Sequence, residues 1–168
     1  MNYVDFDYYK TLYGDKAIPE VDFNRLSWDA SKKIEHYTTG VDSVKKLQVA
    51  FPTDDEGQES VKRCVCALID LMSNIKQAEQ NLRSATGFIQ KEDGTVQGKV
   101  VSSVSAGNES ISYSAKTNTT TLLDQAVSDK KVREQLFRDT IKEYLSGVTD
   151  ANGVNLLYMG TYPYVVKG

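Results

Sequence analysis

Residues 61–75 read Val61-Lys62-Arg63-Cys64-Val65-Cys66-Ala67-Leu68-Ile69-Asp70-Leu71-Met72-Ser73-Asn74-Ile75, and this run decides the class of fold. Val61, Val65, Leu68, Met72 and Ile75 recur at three- and four-residue intervals, the spacing that aligns side chains along one side of an α-helix. Cys64, Leu71 and Leu82 widen the stripe. The pattern predicts a helix from about Gln58 to Arg83, the most apolar in the chain and therefore the centre of a bundle. Cys64 and Cys66 stand two apart, roughly 200° around such a helix, so they neither chelate a metal together nor form an easy disulfide. Both are expected as small core residues.

Upstream, Ile18-Pro19-Glu20-Val21-Asp22 signals a helix start, with proline in the first turn and acids at the positive end of the dipole. Phe23, Leu26, Ala30, Ile34 and Tyr37 mark its apolar stripe, and Thr38-Thr39-Gly40 ends it. Trp28 falls off that stripe and is expected to face a second element or a partner chain. Residues 43–51 suit a short helix before Pro52-Thr53-Asp54-Asp55-Glu56-Gly57. The opening stretch from Tyr3 to Gly14 holds four of the ten tyrosines. Tyrosine covers apolar area while keeping a polar tip, so this stretch suits either a cap on the chain's own core or an interface.

Downstream the character changes. Ser84 to Thr121 is rich in serine and threonine, and Gly107-Asn108 between alternating segments signals a two-residue hairpin turn. Pairing about it sets Val104 opposite Ile111, Ser102 opposite Tyr113 and Val100 opposite Ala115. A third helix begins near Thr120 or after a break at Ser128, which would cap Asp129-Lys130-Lys131. Its stripe is Val132, Leu136, Thr140 or Ile141, and Tyr144, and Gly147 terminates it. The run Val154 to Gly168, with Leu156, Leu157, Tyr158, Met159, Tyr162, Tyr164 and Val165, is unusually apolar for a terminus. It reads as an extended segment waiting for a sheet edge or groove.

The 168 residues carry 20 basic and 23 acidic side chains, for a net charge of -3. That balance argues against a protein whose main business is gripping phosphate backbones. Without a long apolar run or a signal-like start, the chain is expected to be soluble and intracellular. No phosphate-cradling loop, nucleophile elbow or dinucleotide fingerprint occurs. The single histidine, His36, reads as a helix-surface or interface residue, and acids such as Asp54-Asp55-Glu56 and Glu92-Asp93 read as solvation. No catalytic residue, cofactor or metal ligand is therefore assigned.

The expected class is mainly α: a small helical bundle of three to four helices with an inserted β-hairpin and an extended C-terminal tail. One domain is divided into an aromatic segment (1–17), a helical core (18–83), a Ser/Thr-rich region (84–121) with a hairpin at 96–115, a helix (122–147) and a docking tail (148–168). The order of elements carries a resemblance. An aromatic start precedes the Ile18-Pro19-Glu20 helix and the Val65-Cys66-Ala67-Leu68 helix. Then come Val104-Ser105-Ala106-Gly107-Asn108-Glu109-Ser110-Ile111-Ser112-Tyr113, the helix end Tyr144-Leu145-Ser146-Gly147, and Leu156-Leu157-Tyr158-Met159-Gly160. Over nearly its whole length the chain resembles the small head–tail connector (adaptor, head-completion) proteins of tailed bacteriophages.

That resemblance implies a non-enzymatic ring subunit, typically twelve copies, seated on the portal protein in the virion neck after assembly in the host cytoplasm. Its other partners would be a downstream neck or tail protein and sister copies. DNA would pass through the channel without specific binding, and no membrane would be involved. Leu156, Leu157, Tyr158, Met159, Tyr162, Tyr164 and Val165 are the portal- or neighbour-binding candidates. Val104, Ile111, Tyr113 and Trp28 are the inter-subunit candidates. Rival readings are a tail-completion or stopper protein lower in the neck, a DNA-packaging accessory using Lys130, Lys131, Arg133, Arg138 and Lys142, and a small enzyme resting on scattered carboxylates.

Overall fold

The computed structural model describes residues 2–85, 87–90, 96–105, 110–114 and 121–163. The described chain is mainly helical and divides into two units, residues 1–73 with 134–168, and residues 74–133.

The first unit begins with α1 (Phe6–Tyr13). The Asp5 carboxylate accepts the Tyr8 N–H at 2.8 Å, supplying an acceptor for one of the amides that a helix start leaves unmatched, and Gly14 ends the helix. Helix α2 (Glu20–Thr38) follows Pro19, with Glu20 and Asp22 in its first turn. Phe23, Leu26, Ala30 and Ile34 are buried as expected. A second, polar stripe of Ser27, Ser31, Glu35 and Thr38 is buried as well. After α3 (Lys46–Val49), helix α4 (Asp55–Ala85) starts three residues earlier than the apolar pattern suggests. Asp54 extends it by accepting the Gly57 N–H at 2.6 Å.

Helix α4 lies in the core over its first half. Val61, Cys64, Val65, Cys66, Leu68 and Ile69 are each fully buried. Burial at this depth contributes ~1.5–3 kcal/mol for each large aliphatic side chain. Cys64 and Cys66 point to different sides and are both enclosed, so the helix is covered nearly all round at this level. Burial keeps the two thiols protonated, pushing Cys66 up to about 12.

The aromatic opening segment belongs to the chain's own core. Tyr9 is fully buried between Tyr13 and Phe23, at ring centroid distances of 4.6 and 5.3 Å, and Tyr3 stacks on Phe51 at 5.7 Å. Of the two roles open to this stretch, the structure takes the cap.

In the second unit, α5 (Leu122–Ser128) is closed by a reciprocal cap between Thr121 and Asp124. The expected third helix is thus two helices, broken at Asp129. The cap of α6 (Lys130–Leu145) is Asp129, whose carboxylate accepts the Lys131 N–H at 2.7 Å, and not Ser128. The buried stripe of α6 is also rephased. From Glu134 onward α6 belongs to the first unit, and there Phe137, Ile141 and Leu145 are buried while Leu136 and Tyr144 are half-buried. Phe137 aligns with Ile141 and Leu145 at four-residue spacing on the buried side, and its ring lies 4.7 Å from the Lys33 ammonium.

Between the helices, the backbone of β1 (Gly87–Gln90), β2 (Val96–Ser105) and β3 (Ser110–Ser114) pairs antiparallel in that order. The hairpin expected over 96–115 does not stand in the expected form. Gly107, Asn108 and Ala115 lie outside the described residues, a further strand pairs on the other edge of β2, and the register slips between Val101 and Ser103. Beyond that shift Tyr113 faces Val101 and Ser114 faces Val100, one residue out from the alternating pattern.

Candidate docking surface

Residues 148–163 are not an extended tail, and the rest of the expected docking tail, 164–168, lies outside the described residues. Gly147 ends α6 at φ 84° and the chain turns back along its own unit. Asp150 organises the return: its carboxylate accepts the N–H groups of Asn152 and Val154, each at 2.9 Å. Gly153 closes the turn at φ 76°, a backbone conformation that glycine adopts without strain. Leu156 then donates its N–H to Val148 at 2.9 Å and is fully buried.

Two charged residues hold residues 156–162: Asp42 in the connection between α2 and α3, and Lys46 at the start of α3. The Lys46 ammonium is fully buried and donates to the carbonyls of Thr38 (2.9 Å), Leu156 (3.1 Å) and Tyr158. A lysine has three N–H donors, and here each has a backbone acceptor. Burial pulls the Lys46 pKa down, while Asp150 and Asp42 oppose that pull. The Asp42 carboxylate accepts the Tyr162 N–H at 2.6 Å and the Val44 N–H at 3.2 Å. The Tyr162 contact is the larger of the two in holding that carboxyl below its usual range. Tyr162 is buried, and its hydroxyl donates to Asp150 at 2.6 Å. Gly40 completes the clasp, since a Cβ there would sit 2.6 Å from the Gly160 carbonyl oxygen.

This clasp fixes an apolar surface. The Val41 N–H bonds to the Met159 carbonyl at 3.0 Å, bringing Val41 (76% exposed) beside Met159 (51%). Next to Met159 lies a groove of about 680 Å³ lined by Tyr37, Ile141, Leu157 and Met159, with Arg138 and Lys142 among its walls. Tyr37 is held in place by its hydroxyl, which donates to Glu134 at 2.9 Å, and Glu134 also pairs with Lys33 at 3.2 Å. The Arg138 guanidinium lies 6.0 Å from the Tyr37 ring centroid. His36 adds a third basic side chain to the groove. The surface can therefore grip a partner through apolar contact and attract one that carries negative charge.

The C-terminal binding candidates separate into buried and accessible groups. Leu156 and Tyr162 are built into the clasp, Leu157 is half-buried in the groove, and Tyr158 and Met159 are exposed. Tyr164 and Val165 lie outside the described residues. Val104 and Ile111 are backbone partners, and Tyr113 partners Val101. Trp28 is 54% exposed on α2, with the Lys32 ammonium 5.6 Å from its ring centroid. Of the proposed DNA-binding cations, Arg133 donates to the Ala126 carbonyl at 3.0 Å and Arg138 lies by Tyr37.

Sequence reasoning missed Asp42, Lys46 and Asp150. Asp150-Ala151-Asn152-Gly153 carries a recognisable turn signal, whereas Lys45-Lys46 looks like any solvated pair. It also missed Glu35, buried on α2 and accepting from Tyr3 (3.1 Å) and Lys32 (3.0 Å). Burial alone would raise its pKa, but hydrogen bonds from Gln48, Lys32 and Tyr3 outweigh that and lower it.

Among the described residues, no cluster of three or more histidine, cysteine, aspartate or glutamate side chains could hold a metal ion, and no helix is long and apolar enough to cross a membrane. Comparison with protein-family models, curated proteins and solved structures finds no match to this chain.

Proposed function

We propose that this chain is a non-enzymatic assembly subunit, one that joins sister copies into a neck ring, seats on a phage portal and extends the DNA channel toward the tail. The observation that carries this reading is the clasped C-terminal surface. A fully buried lysine and two aspartates hold the chain so that Val41, Tyr158 and Met159 stay exposed beside an apolar groove. Large exposed apolar side chains on a rigid support are the usual mark of a protein-binding site. The order of elements along the chain, with its resemblance to head–tail connectors, supports the same reading. The Ser/Thr-rich strands would supply a second contact within the ring, and a position lower in the neck, as a stopper, would use the same surfaces.

Deleting residues 154–168 is not a clean test, because it removes Leu156 and Tyr162 from the core. Met159→Asp changes an exposed side chain instead. The mass of the purified chain should rise on addition of portal protein, and Met159→Asp should weaken that association while leaving the unfolding midpoint unchanged. Absence of any association between wild-type chain and portal would refute the reading.

A further inference from the structure

The basic groove has a counterpart on the same unit. Between α3 and the first turn of α4, Val49 is 62% exposed, and Asp54, Asp55 and Glu56 are all exposed. Asp54 is engaged in capping α4, which leaves Asp55 and Glu56 as the outward acids. This segment borders a hollow of about 450 Å³ whose other wall is Tyr144 with residues 146–149. The groove takes Lys142 from α6 and the hollow takes Tyr144, two residues on and so roughly 200° around the helix. Averaged over Arg138, Ile141 and Lys142, the groove lies roughly 110° around α6 from Tyr144, so the two surfaces occupy different sides of the helix. One is apolar with basic groups and the other is acidic, with Val49 exposed at the end of α3, five positions before Asp54 in sequence. Asp139 and Glu143, also exposed on α6, line neither.

We propose that the segment 49–56 of one copy docks into the groove of the next, setting Asp55 and Glu56 against Arg138 and Lys142 and Val49 over Tyr37 and Leu157, and leaving Val41, Tyr158 and Met159 on the rim for the portal. The occupant is a second copy because the chain itself carries the complement in both charge and apolar character. The contact is heterologous: each copy uses one surface on either side and leaves one of each kind free, so association continues until a ring closes or a filament grows. It rests on the assembly reading above and names the subunit contact within it.

Charge exchange tests this on the full chain. Sedimentation at low ionic strength should show association of the wild type that weakens as salt is raised. R138E/K142E alone should stay monomeric, and so should D55K/E56K, because each variant then carries two surfaces of one sign. Mixed in equal amounts they should associate again, a recovery that misfolded variants would not give. The neutral pair R138Q/K142Q should bind roughly tenfold more weakly than wild type. A wild type that is monomeric throughout, variants that associate as the wild type does, or a mixture of natively folded variants that stays monomeric would each overturn the contact. Charge-insensitive association with normal portal binding would remove this contact and leave the assembly reading in place. Charge-dependent association without portal binding would do the reverse.

Discussion

The two ends of the first unit are secured by different physics. At the N-terminal end Tyr3 and Tyr9 are held by ring packing against Phe51, Tyr13 and Phe23. Burial of large apolar area dominates there, and the Tyr9 hydroxyl faces the Ile18 backbone without a well-formed hydrogen bond. At the C-terminal end, directional contacts from Asp42, Lys46 and Asp150 reach backbone groups up to 120 positions away in sequence. Apolar burial is non-directional, whereas a lysine meeting three carbonyls fixes one geometry. That difference gives the second end a surface of defined shape, which the proposed docking would use.

Substitutions at the two ends should separate these mechanisms. Tyr9→Ala should have the largest effect, costing ~3–5 kcal/mol in denaturant unfolding, as removal of a buried aromatic ring does. Lys46→Met keeps apolar volume but strips three carbonyls of their donor, and should cost about 3 kcal/mol. It should also expose residues 154–162 to protease before the rest of the chain. A Lys46→Met variant as stable and as protected as wild type would mean that Leu156 alone holds this end, and the contrast would collapse. Tyr162→Phe should cost ~1.5–2 kcal/mol through its lost bond to Asp150, whereas Tyr9→Phe should be nearly neutral. Equal costs for the two would contradict the distinction.

The smallest effect concerns pH. The Glu35 and Asp42 carboxyls are both held below their ordinary values in the folded chain. The unfolded chain therefore takes up protons first as the solution is acidified. Stability from these groups is present above about pH 4.3 and is lost as pH falls through the folded values. Asp42→Asn should flatten part of that acid slope in thermal unfolding scans, and an unchanged slope would remove Asp42 from the account.

The same contrast governs how much was legible in the sequence. Helices α2 and α4 follow from spacing alone, because Phe23, Leu26, Ala30 and Ile34, and then Val61, Val65 and Leu68, repeat at helical intervals and are buried. For α6 the pattern was ambiguous: Leu136 and Phe137 are adjacent and both apolar, and the repeat that is buried is Phe137, Ile141 and Leu145 rather than Leu136, Thr140 and Tyr144. The C-terminal surface was half legible. The apolar run from Leu156 to Met159 was read as a binding segment, and within it Tyr158 and Met159 are exposed while Leu156 is buried. That this run folds back was not visible, because Lys46 and Asp42 lie more than a hundred residues upstream and look like ordinary surface charges. Hydrophobic periodicity reports local burial, whereas a single side chain answering distant carbonyls leaves no period.

Amide hydrogen exchange at Val41, Leu156 and Tyr162 tests the clasp most directly, since the Val41 and Tyr162 N–H groups donate across it and the Leu156 N–H donates to Val148 within the turn it holds. The account predicts protection at all three approaching that of the α4 core around Val65, and loss of it in Lys46→Met. Exchange at the rate of an unstructured peptide in the wild type would show the end of the chain to be free, and the docking surface built on it would go with it.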